Sequence, residues 1–265
     1  MNKQRLLQLT ENPDFVSGIY NYCNRWCERC AFTKRCLLYA TEQESPVNSK
    51  EGASDIEGVL NHVKESFDLA FELLADTAEE YGVDLNALAE QNNHMEKSEE
   101  QREMCEEHSL AKAAYAYPAM VKEWFNDHQN LFKTTRDSLE NDAMLGIGEP
   151  EVAAADILNA VEVIQWYEHQ IWVKLMRALT GREEDEEEND SEMAEFPKDS
   201  DGSAKVALIG IDDSIEGWEL LLHRLADEND RIRNMVGHLS NLRKAIEEEF
   251  PQARSFVRPG FDREV

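Results

Sequence analysis

The sequence has no apolar run that approaches the roughly 20 residues needed to cross a bilayer. Lys3 and Arg5 are not followed by an apolar segment before Asn12-Pro13, so we expect no secretory signal peptide and a cytoplasmic protein. Basic residues are scarce, because 27 Lys and Arg stand against 55 Asp and Glu, for a formal net charge of −28. This charge argues against nucleic acids and anionic membranes as partners.

The common catalytic signatures are missing as well. There is no Gly-rich phosphate loop, no G-x-S-x-G sequence around a serine nucleophile, and no histidine with Glu three positions before it. The last absence removes the Glu-x-x-His pair that characterises di-iron carboxylate bundles. Cys105 stands among acidic residues, which disfavour a reactive thiolate. The sequence therefore leaves open whether the protein is an enzyme.

Cysteine is rare but concentrated, since four of the five cysteines fall within fourteen residues. Cys23, Cys27, Cys30 and Cys36 follow the pattern C-x3-C-x2-C-x5-C. Packing does not explain so many thiols in so short a segment, and in a reducing compartment such a cluster favours metal over disulfides. Thiolates are soft ligands that suit zinc and iron–sulfur clusters. We therefore predict that these four residues bind a metal.

The spacing also suggests how the site is built. Intervals of four and three residues would place Cys23, Cys27 and Cys30 on one face of a helix that begins at Asn12-Pro13-Asp14. Cys36 would then fold back to complete a four-sulfur site. Four basic neighbours are expected to favour thiolate over thiol and to offset the negative charge of the site: Arg25, Arg29, Lys34 and Arg35.

The metal itself stays open between Zn²⁺ and a [4Fe–4S] cluster, with disulfides or free thiols as the third alternative. Structural zinc commonly uses two cysteine pairs separated by a longer loop, whereas compact cysteine runs are common for cubane clusters. The first three cysteines have the C-x3-C-x2-C spacing of radical S-adenosylmethionine enzymes. However, Arg29 stands where those enzymes usually have an aromatic residue, and no alternation of strands and helices follows. The chain is therefore not assigned to that family.

Apolar residues recur at helical spacing through most of the chain, which predicts an all-α protein. We expect a multi-helix up-and-down bundle of about five to seven helices, with the four-cysteine segment at its N-terminus. The predicted divisions are a cysteine-rich segment 1–44, a first bundle part 53–181, an acidic disordered linker 182–202, a second bundle part 203–250 and a loose tail 251–265. The linker is predicted because eight of the ten residues from 183 to 192 are acidic.

Local signals predict several helix ends. Ser54 starts a capping-box pattern, and the helix that follows should bury its apolar stripe in the bundle and end at Gly82. Pro118 should kink or split a later helix. Ser203 should cap the helix that follows the acidic linker.

The segment 150–180 is apolar around most of its circumference, so it should lie centrally and end at Gly181. Its polar residues Glu162, Glu168 and His169 fall on sides that are predicted to face inward, where a polar group without a partner costs a few kcal/mol. They are either ordinary polar residues, paired in the core or exposed on the surface, or part of an inward carboxylate–histidine metal site. The first interpretation is the simpler one.

Three functional hypotheses are compatible with these patterns. The first is a metal-binding helical-bundle protein whose four-cysteine site, holding zinc or an iron–sulfur cluster, has a structural or interaction role. The second is an iron–sulfur redox protein or oxidoreductase with a further carboxylate and histidine metal site in the bundle. The third is a scaffold, homo-oligomeric or bound to another protein, that presents the acidic residues 183–192 to a basic partner. The substrate, the reaction and the oligomeric state are not determined by the sequence.

Overall fold

The computed structural model describes residues 3–44, 56–85, 94–187, 198–225 and 229–262. Within these ranges there are nine α-helices and no β-strand, which confirms the predicted all-α class. The helices are α1 (Lys3–Thr10), α2 (Leu37–Gln43), α3 (Ile56–Tyr81), α4 (His94–Glu107), α5 (Ser109–Asp127), α6 (Gln129–Leu145), α7 (Pro150–Glu187), α8 (Asp199–Arg224) and α9 (Asn229–Glu249). None of the helices in the described ranges is both long and apolar enough to span a membrane.

The chain divides into two compact units. The first consists of Met1–Ser98 together with Arg258–Val265, and the second consists of Glu99–Val257. The last residues of the chain therefore belong to the unit that contains the cysteine-rich segment.

The second unit is a helical bundle with α7 at its centre. Helices α5, α6 and α8 all contact α7, and α9 contacts α5 and α8. The central position agrees with the apolar composition of α7. Trp124 and Trp218 are buried in the core and meet edge to face, with 4.9 Å between ring centroids. The indole N–H of Trp218 donates to the hydroxyl of buried Tyr117 at 2.9 Å, so this polar atom has a partner inside the core.

Small residues on α8 let this helix approach α7 closely. Ser203, Gly210 and Gly217 recur every seven residues, and all three are buried. A Cβ atom added at Gly210 would lie 2.7 Å from Tyr167 Cδ1, and one added at Gly217 would lie 3.1 Å from Ile164 Cγ1. Bulky side chains of α7 therefore pack directly against the backbone of α8.

Two predicted helix ends next to the acidic segment are wrong. Helix α7 continues through Gly181 to Glu187, and α8 begins at Asp199, so Ser203 lies inside α8 and does not cap it. A Cβ atom at Gly181 would lie 3.7 Å from the backbone nitrogen of Ser200, which is an ordinary van der Waals contact, so packing does not require glycine here. The start of α8 lies next to Gly181, and the chain makes no turn after this residue.

The predicted disordered linker 182–202 is helical at both of its ends. The start of α8 is held by Arg177 of α7, whose guanidinium donates to both carboxylate oxygens of Asp199 at 2.9–3.2 Å. The prediction of disorder is therefore wrong for 182–187 and for 198–202, and residues 188–197 lie outside the described residues. Half of the proposed acidic surface 183–192, residues 188–192, lies in that undescribed part.

Pro118 does not split its helix, because α5 runs from Ser109 to Asp127. The chain breaks instead at His128, between α5 and α6. The His128 ring stacks on Trp124 with 4.5 Å between centroids, and its Nδ1 lies 2.6 Å from the Trp124 carbonyl oxygen. A side chain that engages a carbonyl at a helix end competes with continuation of the helix.

The first unit contains α1, α2 and α3, and α3 ends before Gly82 as predicted. Lys3 of α1 forms ion pairs with Asp76 and, at 3.3 Å, with Glu72 of α3. The apolar stripe of α3 is not in a core, since Phe67 is 62% exposed and Phe71 is 67% exposed. That part of the prediction is wrong, because periodicity identifies an amphipathic helix but not what covers it. The proposed cap at Ser54 lies outside the described residues.

The C-terminal residues 251–262 do not form a loose tail. Ala253 and Phe256 are buried in the second unit, where Arg254 pairs with Asp212 at 2.6 Å and with Glu247 at 2.8 Å. Residues 258–262 belong to the first unit, and Phe261 among them lines the cysteine cavity.

Candidate metal centre

The cysteine segment does not form the predicted helix. Between α1 and α2 the chain consists of turns and of two short 3₁₀ helices, Cys27–Arg29 and Thr33–Arg35. The prediction that Cys23, Cys27 and Cys30 share one face of an α-helix is therefore wrong. The cysteines are placed by tight turns instead.

Local hydrogen bonds between side chains and the backbone explain why the helix does not form. The predicted start at Asn12 is a turn, in which the Asn12 side-chain oxygen accepts from the N–H of Asp14 at 3.0 Å. The Asn24 side-chain oxygen accepts in the same way from the N–H of Trp26 at 3.2 Å. Asn side chains of this kind replace helical backbone bonds. Directly after Asn24, Arg25 has a φ of 57°, which is left-handed backbone and incompatible with a right-handed helix.

These turns nevertheless bring the predicted ligand set together. Cys23, Cys27, Cys30 and Cys36 all line a single cavity of about 20 Å³. A cavity of that size has room for about one water-sized particle. None of the four is in a disulfide. The remaining wall is largely aromatic and apolar, from Ile19, Tyr20, Trp26, Phe32, Tyr39 and Phe261.

Backbone groups contact three of the four sulfur atoms. The N–H of Phe32 donates to Cys30 Sγ at 3.4 Å, and the N–H of Tyr39 donates to Cys36 Sγ at 3.5 Å. The second contact also caps the N-terminus of α2. The Cys23 thiol donates to the carbonyl oxygen of Tyr20 at 3.4 Å. N–H groups that point at sulfur favour the thiolate form, which is the form that binds metals.

Two of the four basic neighbours, Arg25 and Arg29, also contact other groups. Arg25 pairs with Glu42 at 2.7 Å, and the guanidinium of Arg29 lies 4.1 Å above the centre of the Trp26 ring. Burial raises the pKa of the Cys27 thiol, and the negative charge of Glu42 adds to this effect while Arg25 opposes it. A metal that binds here must therefore displace a proton from Cys27.

The donor set fits a soft metal ion, although the side chains do not surround one as they stand. Among the described residues, no group of three or more His, Cys, Asp or Glu side chains is placed so that it could hold a metal ion. A cysteine has a single side-chain torsion that moves its sulfur, and this torsion has three staggered positions. Rotation about these torsions would move the four sulfur atoms relative to the cavity that the residues line.

The polar residues of α7 do not form a second metal site. Glu162 and His169 are exposed, which corrects the prediction that they face inward. Glu168 is partly buried, and its Oε1 lies 3.5 Å from Nε2 of the 75% exposed His169 side chain. Of the two interpretations of these residues, the structure supports ordinary surface and half-buried polar groups.

Glu168 gives a testable pH effect. Burial raises its pKa above the ordinary value of 4.5, and the neighbouring His169 acts in the opposite direction. A raised folded-state pKa means that the protein gains stability as the pH falls through that pKa and loses it as the pH rises. We expect Glu168→Gln to raise the melting temperature at pH 8 and to lose this advantage near pH 4.5. Melting curves across this range test it, with Glu216→Gln on the exposed face of α8 as the control. An advantage that does not change with pH would contradict the assignment.

Sequence reasoning missed the part of the site that comes from the C-terminus. Phe261 lines the same cavity as the four cysteines and meets Phe32 edge to face at 5.0 Å. The only local signal is the Pro259-Gly260 turn that precedes it. A turn signal does not tell where in space the next aromatic residue packs.

Comparisons with protein-family models, with curated proteins and with solved structures found no match to this chain.

Proposed function

We propose that the protein binds a metal through Cys23, Cys27, Cys30 and Cys36, and that the site has a structural role in the first unit. The observation that carries this proposal is that all four cysteines line one cavity. The size of the cavity favours a single ion, because about 20 Å³ corresponds to one water-sized particle. A structural Zn²⁺ site with four thiolate ligands holds a single ion in this way.

A bound metal would stabilise the segment that contains the cysteines. From residue 11 to residue 36 the chain has only turns and two 3₁₀ helices, and just one residue of that stretch, Ile19, is buried. Such a segment has little hydrophobic burial with which to offset the entropy of ordering its backbone. A bound Zn²⁺ would cross-link four of its residues, and the free energy of binding then contributes to folding.

The second candidate is an iron–sulfur cluster, with a redox role for the protein. It is favoured by the compact spacing of the four cysteines, which lack the two pairs separated by a longer loop that are typical of structural zinc. A cubane cluster is larger than a single ion, so this alternative requires the cavity to widen when the cluster is bound.

Elemental analysis together with an absorption spectrum tests the proposal, on full-length protein purified without oxygen. We expect one zinc per chain and no visible absorbance. About four irons per chain with broad visible absorbance would establish the cluster alternative in its place. Protein that holds neither metal, even after reconstitution with zinc or with iron and sulfide under reducing conditions, would contradict both candidates.

A further inference from the structure

We infer that the C-terminal residues 258–262 form a cover over the four-cysteine cavity, which controls how fast the site exchanges its metal and how fast its thiols react. The inference deepens the proposed function and, for the metal, rests on it. It concerns residues more than 200 positions away in the sequence, which the cysteine pattern does not include.

The cover is a wall of the site and not only a neighbour. Phe261 lines the cavity together with the four cysteines. Its ring meets Phe32, another lining residue, edge to face with 5.0 Å between centroids. Phe32 is also the residue whose N–H donates to Cys30 Sγ. The aromatic contact therefore connects the C-terminal segment to the backbone that positions one ligand.

The segment is locked in shape by its own side chains. Arg258 and Asp262 form an ion pair in which the guanidinium donates to both carboxylate oxygens, at 3.1 and 2.9 Å. The backbone N–H of Arg258 donates to the same carboxylate at 3.0 Å. The guanidinium also lies 5.0 Å from the centre of the Phe261 ring. Both side chains are mostly buried, at 17% and 22% exposed, so the pair is better shielded than an ordinary surface salt bridge.

The turn inside the segment packs closely against Val16 and Ile19 of the N-terminal loop. The N–H of Phe261 donates to the carbonyl oxygen of Arg258 at 3.2 Å, across Pro259 and Gly260. Gly260 has a φ of 77°, which suits the third position of a type II turn with Pro before it. A Cβ atom at Gly260 would lie 2.9 Å from Ile19 Cδ1 and 3.2 Å from Val16 Cγ1. Gly260 therefore lets the segment lie directly on Ile19, which is itself part of the cavity wall.

The cover has a kinetic consequence. The four cysteines are already partly exposed, and local opening of residues 258–262 would expose their sulfur atoms further to a chelator, a thiol reagent or dioxygen. Removing the Phe261 ring takes away the apolar burial that opposes opening. We expect Phe261→Ala to keep its metal content and to raise the rates of metal transfer and of thiol reaction by up to about tenfold.

Two rates on full-length protein test the inference. The first is transfer of zinc from the loaded protein to a coloured chelator. The second is reaction of the metal-free, reduced protein with Ellman's reagent, in which buried Cys105 of the second unit is an internal reference that should stay slow in every variant. The control is Phe71→Ala, which removes the same side chain from an exposed position of the first unit and should leave both rates unchanged.

The outcomes separate the cover from the metal site. If the unaltered protein binds zinc and both rates of Phe261→Ala equal those of the unaltered protein, the cover is refuted while the proposed function stands. If the unaltered protein binds neither zinc nor iron, the proposed function fails, and the thiol reaction still decides whether the cover exists. If circular dichroism shows that Phe261→Ala loses helical content, its rates no longer test the cover. Asp262→Asn is then the test variant, because it weakens the ion pair with Arg258 but keeps the Phe261 ring in the cavity wall. We expect Asp262→Asn to accelerate both rates less than Phe261→Ala, and unchanged rates in that folded variant would overturn the inference.

Discussion

Replacing Cys36 with serine is expected to remove the metal and to unfold the cysteine-rich segment. Structural zinc contributes apparent binding free energies of roughly 10–16 kcal/mol in zinc-finger peptides, and this energy is available for folding only while the ligand set is complete. Cys36 is the most informative of the four positions because its sulfur also caps α2 by accepting from the N–H of Tyr39. Serine is one of the best N-cap residues, so the cap survives the substitution while the soft ligand is lost.

The measurement is zinc per chain together with the thermal unfolding of the first unit, followed by circular dichroism. We expect the zinc content of Cys36→Ser to fall well below one per chain and its melting temperature to fall with it. The matched control is Cys105→Ala, which alters the one cysteine outside the cluster and should keep the zinc content of the unaltered protein. Full zinc content and an unchanged melting temperature in Cys36→Ser would remove this residue from the ligand set.

The second large effect is expected at Gly210, where valine should destabilise the second unit by about 3 kcal/mol. The first added carbon atom alone would lie 2.7 Å from Tyr167 Cδ1 and 3.2 Å from Ile171 Cγ1. Both neighbours are almost fully buried, at 2% and 1% exposed, so their side chains have no free space into which to move. Helices α7 and α8 must then separate, and the apolar contacts along both helices loosen with them.

The same substitution at Gly237 isolates the cause. Gly237 lies inside α9 and is exposed, and a Cβ atom added there would meet no atom within 4 Å. Gly237→Val should therefore change the free energy of unfolding by no more than about 0.5 kcal/mol. Urea unfolding of the two variants gives the comparison, and the expected loss at Gly210 corresponds to about 10 °C in melting temperature for a unit of this size. Equal stabilities would show that α7 and α8 are not held as closely as the structure indicates.

Much of the helical architecture could be predicted from the sequence. The period of the apolar residues predicts an all-α chain, and the composition of 150–180 predicts a central helix, which α7 is. The conformation of the cysteine segment could not be predicted in the same way. Intervals of three and four residues are compatible with a helix, but Asn24 and Arg25 turn the chain through contacts that have no period.

Helix ends failed where tertiary contacts outweigh local signals. Gly181 is a helix-stop signal in the sequence, yet α7 continues through it to Glu187, and the start of α8 packs beside it. The apolar face of α3 shows the opposite failure. Its residues repeat at the correct spacing for a core helix, but Phe67 and Phe71 remain largely exposed. In both cases the outcome depends on whether another part of the chain packs against the residue, and local propensity carries no information about that.

By itself, the sequence determines the helical class, the excess of negative charge and the identity of the four candidate ligands, because each of these depends on composition or on short spacing. Only the tertiary structure decides that Cys23 and Cys36 line the same cavity, that Phe261 closes its wall, and that α8 approaches α7 through its glycines. These features depend on which distant segments meet. The physical reason is that close packing is set by the shapes of both surfaces at a contact, and one stretch of sequence specifies only one of them.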